Sequence, residues 1–432
     1  MGLCRFVDAR TEDPFALLAA RQVGRDAQIE KVVAEIIEDV RVRGDAALLD
    51  SARRYDAPNL ASIEVPPSDI DSAALPAHFE NAIRFAANRI EQFHTLQLSH
   101  FTEGLVPEAG SFGWEHAGLG QRVMPLDRVG VYVPGGKATY PSSVLMNVIP
   151  GRVAGVGSAF VTTPARADGS LAPSVLFALK TAGVDRAYRV GGAAAIAALA
   201  FGTESVPRVD KIVGPGNRFV NEAKRQLWGR VGLDGYAGPS EVCVLVDETA
   251  NPKWAAADLL TQIEHSDDNS AFLVSTCEET LRRVLDCVEI QLAGAQAEAT
   301  MRNALADQSM AILAKDVSHA VDIVNAIAPE HLTISTANPE AVLGKVKNAG
   351  AVLLGDYTPE SAGDFVLGPS HTLPTSGAAR FGSPVNVLDF LKIQSVSQIS
   401  FDDLAGLIPT IEAFGQMEGF PTHARGATIR QE

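Results

Sequence analysis

Positive charge is scarce in this chain of 432 residues: 36 Lys and Arg stand against 52 Asp and Glu, a formal net charge of −16. Such a surface repels phosphate backbones and anionic lipid, which argues against nucleic acid and membranes as partners. An anionic ligand would need local positive charge, from a metal ion or a helix N-terminus. Cysteine is scarce as well. Cys4, Cys243, Cys277 and Cys287 lie far apart with no C-x-x-C pair, so neither a disulfide framework nor a thiolate metal cluster is expected. They read as buried small hydrophobes of a reducing compartment. A long apolar run is missing too: the region from Val144 to Val161 is interrupted by Pro150, Arg152 and several glycines, and no membrane-spanning helix is expected. The N-terminus, MGLCRFVDARTEDPF, mixes charge throughout, lacks an apolar signal core, and has Phe6 where a myristoylation signal wants Ser or Thr. On these absences the chain is expected in the cytoplasm. No H-E-x-x-H, EF-hand loop, repeat or low-complexity segment occurs, and GPSEV (Gly238 to Val242) is not a nucleophile elbow.

What the sequence does contain is a folded chain of about two or three domains, judged by its length and its 46% apolar and 20% charged content. Residues 1–25 carry little pattern and read as an arm. From Asp26 to about Leu98 the periodicity is helical, with Ile29, Val32, Val33, Ile36, Ile37 and Val40 at 3.6 spacing. After Pro125 strands and helices alternate. RVGVYVPGG, AFVTTPA, RAYRVGG and DKIVGPGN each lead into a helix, which predicts a parallel, doubly wound sheet. EVCVLVD, from Glu241, opens a second set with AFLVST, MAILA, LTIST and AVLLGD. The expected fold is α/β, with two doubly wound, Rossmann-like domains: 26–125 plus 241–376 forming one, 126–240 the other, and 377–432 a small tail domain.

Several pairs of residues have chemical potential. Gln262 and His265 close a helix that Asn251 caps and Pro252 begins; three apart, they project from one side and suit a divalent metal, or an ordinary solvated helix end. VPGG (Val133 to Gly136) and GPGN (Gly214 to Asn217) follow strands, where open α/β sheets place ligands, and equally fit plain tight turns. Glu330 and His331 in APEH could serve two proton transfers, or be an inert exposed pair. Asp364 and His371 share a Gly/Pro-rich loop that fits metal binding or capping. Glu418 and His423 lie in a tail with little core to serve.

Taken together, GVYVPGG, YPSSVLMNVIP, VDKIVGPGN, EAKRQL, AGPSEV, QIEH, APEHL, GDYTPESAGDF, SHTLPTSGAAR and MEGFPTHAR, in this order over essentially the whole chain, resemble the histidinol dehydrogenase family. The resemblance implies a zinc ion held by Gln262, His265, Asp364 and His423, an N,O set that suits a catalytic site. It implies Glu330 and His331 as the catalytic pair, substrate contacts from Ser240, His371 and Glu418, and NAD contacts from Tyr132 and Asn217. The domain 126–240 would carry NAD, and the other α/β domain the metal and catalytic loops. A homodimer with exchanged tails is implied, so that Glu418 and His423 serve the partner's site. The implied reaction is the two-step, four-electron, NAD-linked oxidation of the small alcohol L-histidinol to L-histidine through the aldehyde. Three stretches depart from the family pattern: Ala194 replaces a glutamine associated with NAD, Gly368-Pro-Ser-His371 stands for G-T-N-H, and the residues after His265 read Ser-Asp-Asp-Asn for G-P-D-S. A paralogue acting on another small alcohol, such as a sulfopropanediol, is the nearest alternative; a non-catalytic binding protein on the same scaffold is a remote one.

Overall fold

The computed structural model describes residues 2–19, 26–102, 119–136, 138–235 and 238–432. They fall into two units, Met1–Gln97 with Pro125–Phe390, and Leu98–Met124 with Leu391–Glu432. In chain order the strands are β1 (Arg5–Asp8), β2 (Leu119–Pro125), β3 (Arg128–Tyr132), β4 (Ser158–Thr163), β5 (Arg186–Arg189), β6 (Lys211–Val213), β7 (Gly232–Leu233), β8 (Glu241–Val246), β9 (Ser270–Ser275), β10 (Met310–Leu313), β11 (His331–Ser335), β12 (Ala351–Leu354) and β13 (Leu391–Ser397).

The first unit holds two sheets with helices between successive strands, the α/β arrangement expected. One has the order β5-β4-β3-β6-β7, the other β1-β10-β9-β8-β11-β12, and all neighbours run parallel. Every residue of β8 and β9 is buried, which is why EVCVLV and SAFLVS read as continuous rather than alternating runs. Winding reverses between β3 and β6 in one sheet and between β8 and β11 in the other. Those two switch points are where each sheet can open a crevice.

Several expectations need correction. The helices Ala27–Arg43 and Asp45–Tyr55 do not join the six-stranded sheet; Val33, Val40, Leu48 and Ala52 bury against Ala193 to Ala200 and against Val220, Ala223 and Leu227 beside the five-stranded one. The Ala-rich helix Gly192–Phe201 is apolar all round, so its outer face also needs cover, and small side chains let a helix approach closely. Periodicity had shown that the 26–55 block buries a face, not which one it meets. The arm contributes β1, whose Arg5 to Asp8 pair with Met310 to Leu313 at a sheet edge. Of the four cysteines, all free, only Cys243 is buried.

Residues 377–390 belong to the first unit, not to the tail. Phe390 is fully buried, and a Cβ on Gly151 would stand 3.1 Å from its ring. In the second unit, β13 pairs with β2. Ser400 and Asp403 form a reciprocal capping box at the start of the helix Phe401–Met417. The helix Pro421–Thr428 packs back on it, so closely that a Cβ at Gly415 would lie 2.8 Å from that of Ala424. Among the described residues no helix is long and apolar enough to cross a membrane.

Candidate active site

The expected catalytic residues gather at the amino ends of β8 and β11, the two strands that flank the switch point of the six-stranded sheet. The helix Val317–Ile327 ends at Ala328, whose φ of 50 turns the chain sharply before Pro329. Ala351 N–H then donates to the Glu330 carbonyl (2.8 Å), and His331 begins β11 opposite Val242 and Ala351. Both side chains are buried, and instead of pointing apart they meet, Nε2 of His331 lying 3.8 Å from Glu330 Oε1. Glu330 Oε2 accepts the Glu241 N–H at 3.0 Å.

Gln262 enters from the side. Its helix, Pro252–Thr261, begins as expected, with Asn251 accepting from Lys253 N–H, but it stops one residue before Gln262. Gln262 is the cap, and its carbonyl accepts from Asn269 Nδ2 (2.7 Å) and from His265 N–H (3.3 Å), which turns the chain. Gln262 and His265 are therefore not two faces of one helix turn; the first is buried and the second exposed. Asn269 also accepts from Ser240 N–H at 3.0 Å, tying that expected substrate residue to the same corner.

The short helix Glu360–Phe365 supplies two carboxylates four residues apart, hence on one face. Gln262 Nε2 donates to Glu360 Oε1 and, at 3.1 Å, to Asp364 Oδ2. His331 Nδ1 lies 3.4 Å from Glu360, and its Nε2 lies 3.9 Å from Asp364. His371 Nδ1 bonds the Asp364 carbonyl at 2.9 Å, so that nitrogen carries the proton, and the neutral ring's Nε2 accepts from Ser143 Oγ at 3.1 Å. Ser240, Gln262, Glu330, His331, Asp364 and His371 are thus brought together. Glu418 ends the helix Phe401–Met417 and His423 lies in Pro421–Thr428, both exposed and both in the second unit.

Burial dominates the electrostatics. It raises Glu330 well above the ordinary carboxylate range, although the Glu241 N–H and Ser240 oppose it. Glu360 is raised likewise by burial, with Asp364 adding to it, and Asp364 is raised by burial against the pull of His331 and His265. The imidazoles of His331 and His371 are pushed down to about 4 by the same loss of water. Asp258, whose carboxylate accepts the Glu360 N–H at 3.3 Å, is pushed up to about 6 by burial. Among the described residues no lysine or arginine pairs with Glu330, Glu360 or Asp364. Buried acids without a cation are unfavourable unless one is supplied, and a divalent ion would reverse the upward shifts of the three carboxyls while keeping the imidazoles neutral. Ligand atoms of His331, Glu360 and Asp364 lie within 4.8 Å of one another, and Glu360 Oε2 is buried with no partner. The oxygen and imidazole donors here fit zinc.

Glu360 was missed in the sequence, although its i, i+4 spacing to Asp364 within ESAGD was the signal for it. At the other sheet, Tyr132 ends β3 and Asn217 follows β6, on neighbouring strands at the switch point. Tyr132 is buried, accepts the Gly192 N–H at 3.2 Å, and has its phenol pushed up to about 12 by burial. Asn217 Oδ1 caps the helix Arg218–Leu227 through Phe219 and Val220 N–H, leaving its NH₂ group for a ligand. Gly214 between them is obligatory: its φ is 111, and a Cβ would stand 2.1 Å from the Tyr132 carbonyl oxygen.

The sequence matches the model of the family described as histidinol dehydrogenase over residues 19–431. The chain belongs to the histidinol dehydrogenase family. It is 44% identical over 435 residues to the histidinol dehydrogenase of Geobacter sulfurreducens, covering 99% of each chain. To that of Clostridium acetobutylicum it is 43% identical over 421 residues, covering 97% of this chain and 96% of the relative. The crystal structure of histidinol dehydrogenase from Elizabethkingia anophelis matches with a TM-score of 0.91 at 33% identity, covering 100% of this chain and 98% of that one. Members of the histidinol dehydrogenase family are NAD-dependent oxidoreductases, and the departures from the family pattern occupy definite places. Ala194 is buried in the helix Gly192–Phe201, two residues from the partner of the Tyr132 hydroxyl. Ser370 is buried beside His371 and accepts from Thr372 N–H at 3.1 Å, and Asn269 is the link between Ser240 and Gln262.

Proposed function

We propose that the protein is a zinc-dependent, NAD-linked histidinol dehydrogenase of the cytoplasm, oxidising L-histidinol to L-histidine through the aldehyde. The observation that carries the reading is the cluster of buried Gln262, Glu330 and His331 with the partly buried Asp364, which no lysine or arginine among the described residues pairs with. Gln262, His265 and Asp364 would hold zinc, together with His423. In a homodimer with exchanged tails, His423 and Glu418 would come from the partner subunit. When bound, zinc supplies Lewis acidity toward the substrate's oxygen, and two NAD⁺ supply the oxidising equivalents.

The chain's own residues then have separable tasks. His331, held neutral by burial, takes the hydroxyl proton at Nε2 in the first oxidation. Glu330, whose carboxyl is raised by the same burial, takes the proton from the water that adds to the aldehyde. Ser240, His371 and Glu418 would orient the amino alcohol, while Tyr132 and Asn217 border the cofactor at the β3/β6 switch point. Keeping the aldehyde in a buried site prevents its loss to side reactions.

The test is steady-state NADH formation by zinc-loaded protein with L-histidinol, against a panel of other small hydroxylated substrates. Turnover of histidinol with about two NADH per histidine supports the reading. Turnover of a sulfopropanediol and not of histidinol would transfer the same machinery to the paralogue reading. Oxidation unaffected by His331→Asn, where a lost general base costs about 10² to 10⁴ in rate, would refute the assigned proton transfer.

A further inference from the structure

Glu360 has no task in the reaction just described, yet it is the one carboxylate of the site with no exposed surface at all. Its backbone N–H is held by Asp258 and its Oε1 accepts from Gln262 Nε2. The same oxygen faces His331 Nδ1 at 3.4 Å. Packing gives no reason for a carboxylate here, since its second oxygen is buried without a partner.

We infer that Glu360 is a positioning residue that fixes the Gln262 amide and the His331 ring together. The Gln262 NH₂ group lies between two carboxylates, Glu360 Oε1 and Asp364 Oδ2. A flipped amide would set its oxygen against both, so the carbonyl oxygen is held away from them. Among the described residues nothing donates to that oxygen, which leaves it available as a metal donor. On the other side, Glu360 Oε1 is already an acceptor toward Gln262, and it presents the same acceptor to His331. The imidazole therefore keeps its proton on Nδ1 and leaves Nε2 bare, 3.8 Å from Glu330 and 3.9 Å from Asp364. One oxygen thus sets the donor atom of an expected metal ligand and the tautomer of the expected base. The i, i+4 placement of Glu360 and Asp364 on one short helix couples this support to the third neighbour.

The inference rests on the zinc reading above, and the two can fail separately. Full-length protein would be prepared as wild type, Glu360→Gln and Glu360→Leu, each loaded with zinc and, separately, with cobalt(II). Zinc affinity is measured by chelator competition, the metal environment by the visible cobalt spectrum, and folding by thermal melting. Glu360→Gln keeps the acceptor oxygen, and its cobalt spectrum should match the wild type with zinc affinity within about threefold. Glu360→Leu removes it, and zinc affinity should fall about 10- to 100-fold, with kcat reduced more than KM is raised. A changed cobalt spectrum and lost zinc in Glu360→Gln would overturn the inference and make Glu360 a metal ligand itself. Undiminished zinc affinity in a folded Glu360→Leu would overturn it as well, and should that variant not fold, the Glu360→Gln spectrum decides. A wild type that retains no divalent metal would overturn the zinc reading and the inference with it.

Discussion

Lys224 is the clearest place where a buried contact should be felt both in stability and at the proposed cofactor site. Its Nζ donates to the Gly214 carbonyl (2.6 Å) and to Asp234 Oδ1 (2.8 Å), and the two charged side chains are only 2% and 7% exposed. Asp234 in turn accepts the Gly214 N–H at 2.7 Å, so the pair clamps both polar groups of the residue that opens the GPGN turn. Lys224→Met keeps the stem and removes the charge. Leaving a buried partner unpaired costs about 3–5 kcal/mol, and the orphaned Gly214 carbonyl about 1 kcal/mol more. Asp234 retains the N–H groups of Gly214 and Gly235 (2.9 Å), which holds the total to about 3–4 kcal/mol. Replacing Asp234 by Asn in the same chain removes the stranded charge and should bring the loss to about 1–2 kcal/mol, a coupling well above additivity. Equilibrium unfolding in urea measures these differences. NADH formation reads the consequence at the turn, where KM for NAD should rise about tenfold, equivalent to about 1.4 kcal/mol. A loss below about 1 kcal/mol in the single variant, or a double variant no better than the single, would refute the reasoning.

Two further outcomes follow from other parts of the chain. Truncation before Glu418 removes the helix that bears His423, and it should abolish zinc retention and activity; His423→Ala should lose zinc with the fold intact, and retention of metal in both would defeat the exchanged-tail proposal. Asp56, half-buried and pushed up to about 6 by loss of water, binds its proton more tightly folded than unfolded, where the value is near 3.8. The sign is therefore opposite to that of a paired carboxylate: stability on this account is highest below pH 4, falls as pH rises through about 4 to 6, and is flat above. Solvent screening limits the penalty to about 1 kcal/mol. Asp56→Asn should match the wild type in unfolding at pH 4 and exceed it by about that amount at pH 7.5; parallel profiles at the two pH values would contradict it.

The strands were legible because a strand covered on both faces must be a short, mostly apolar run, as EVCVLV and SAFLVS are. The start of the helix at Pro252 was legible for a similar reason, since Asn251 and Pro252 satisfy a purely local requirement. Its end was not. The helix stops before Gln262 because Asn269, seven residues on, takes the Gln262 carbonyl, and no local pattern encodes that bond. The chain order of motifs sufficed for the family, and with it for the NAD-linked chemistry of that family.

Only the tertiary structure decided which surfaces meet. Periodicity in 26–55 required a buried face, but the Ala-rich helix that receives it lies well over a hundred residues on. Gly-rich turns after β3 and β6 marked carboxyl ends, whereas Glu330 and His331, the proposed proton-transfer pair, lie at the amino ends of β8 and β11, a position set by parallel register alone. Glu360 stood in plain view four residues before Asp364, and nothing local distinguished it from a solvated acid. Its role depends on Gln262 and His331 arriving from separate strands and turns to share one oxygen, which is a property of packing and not of sequence spacing.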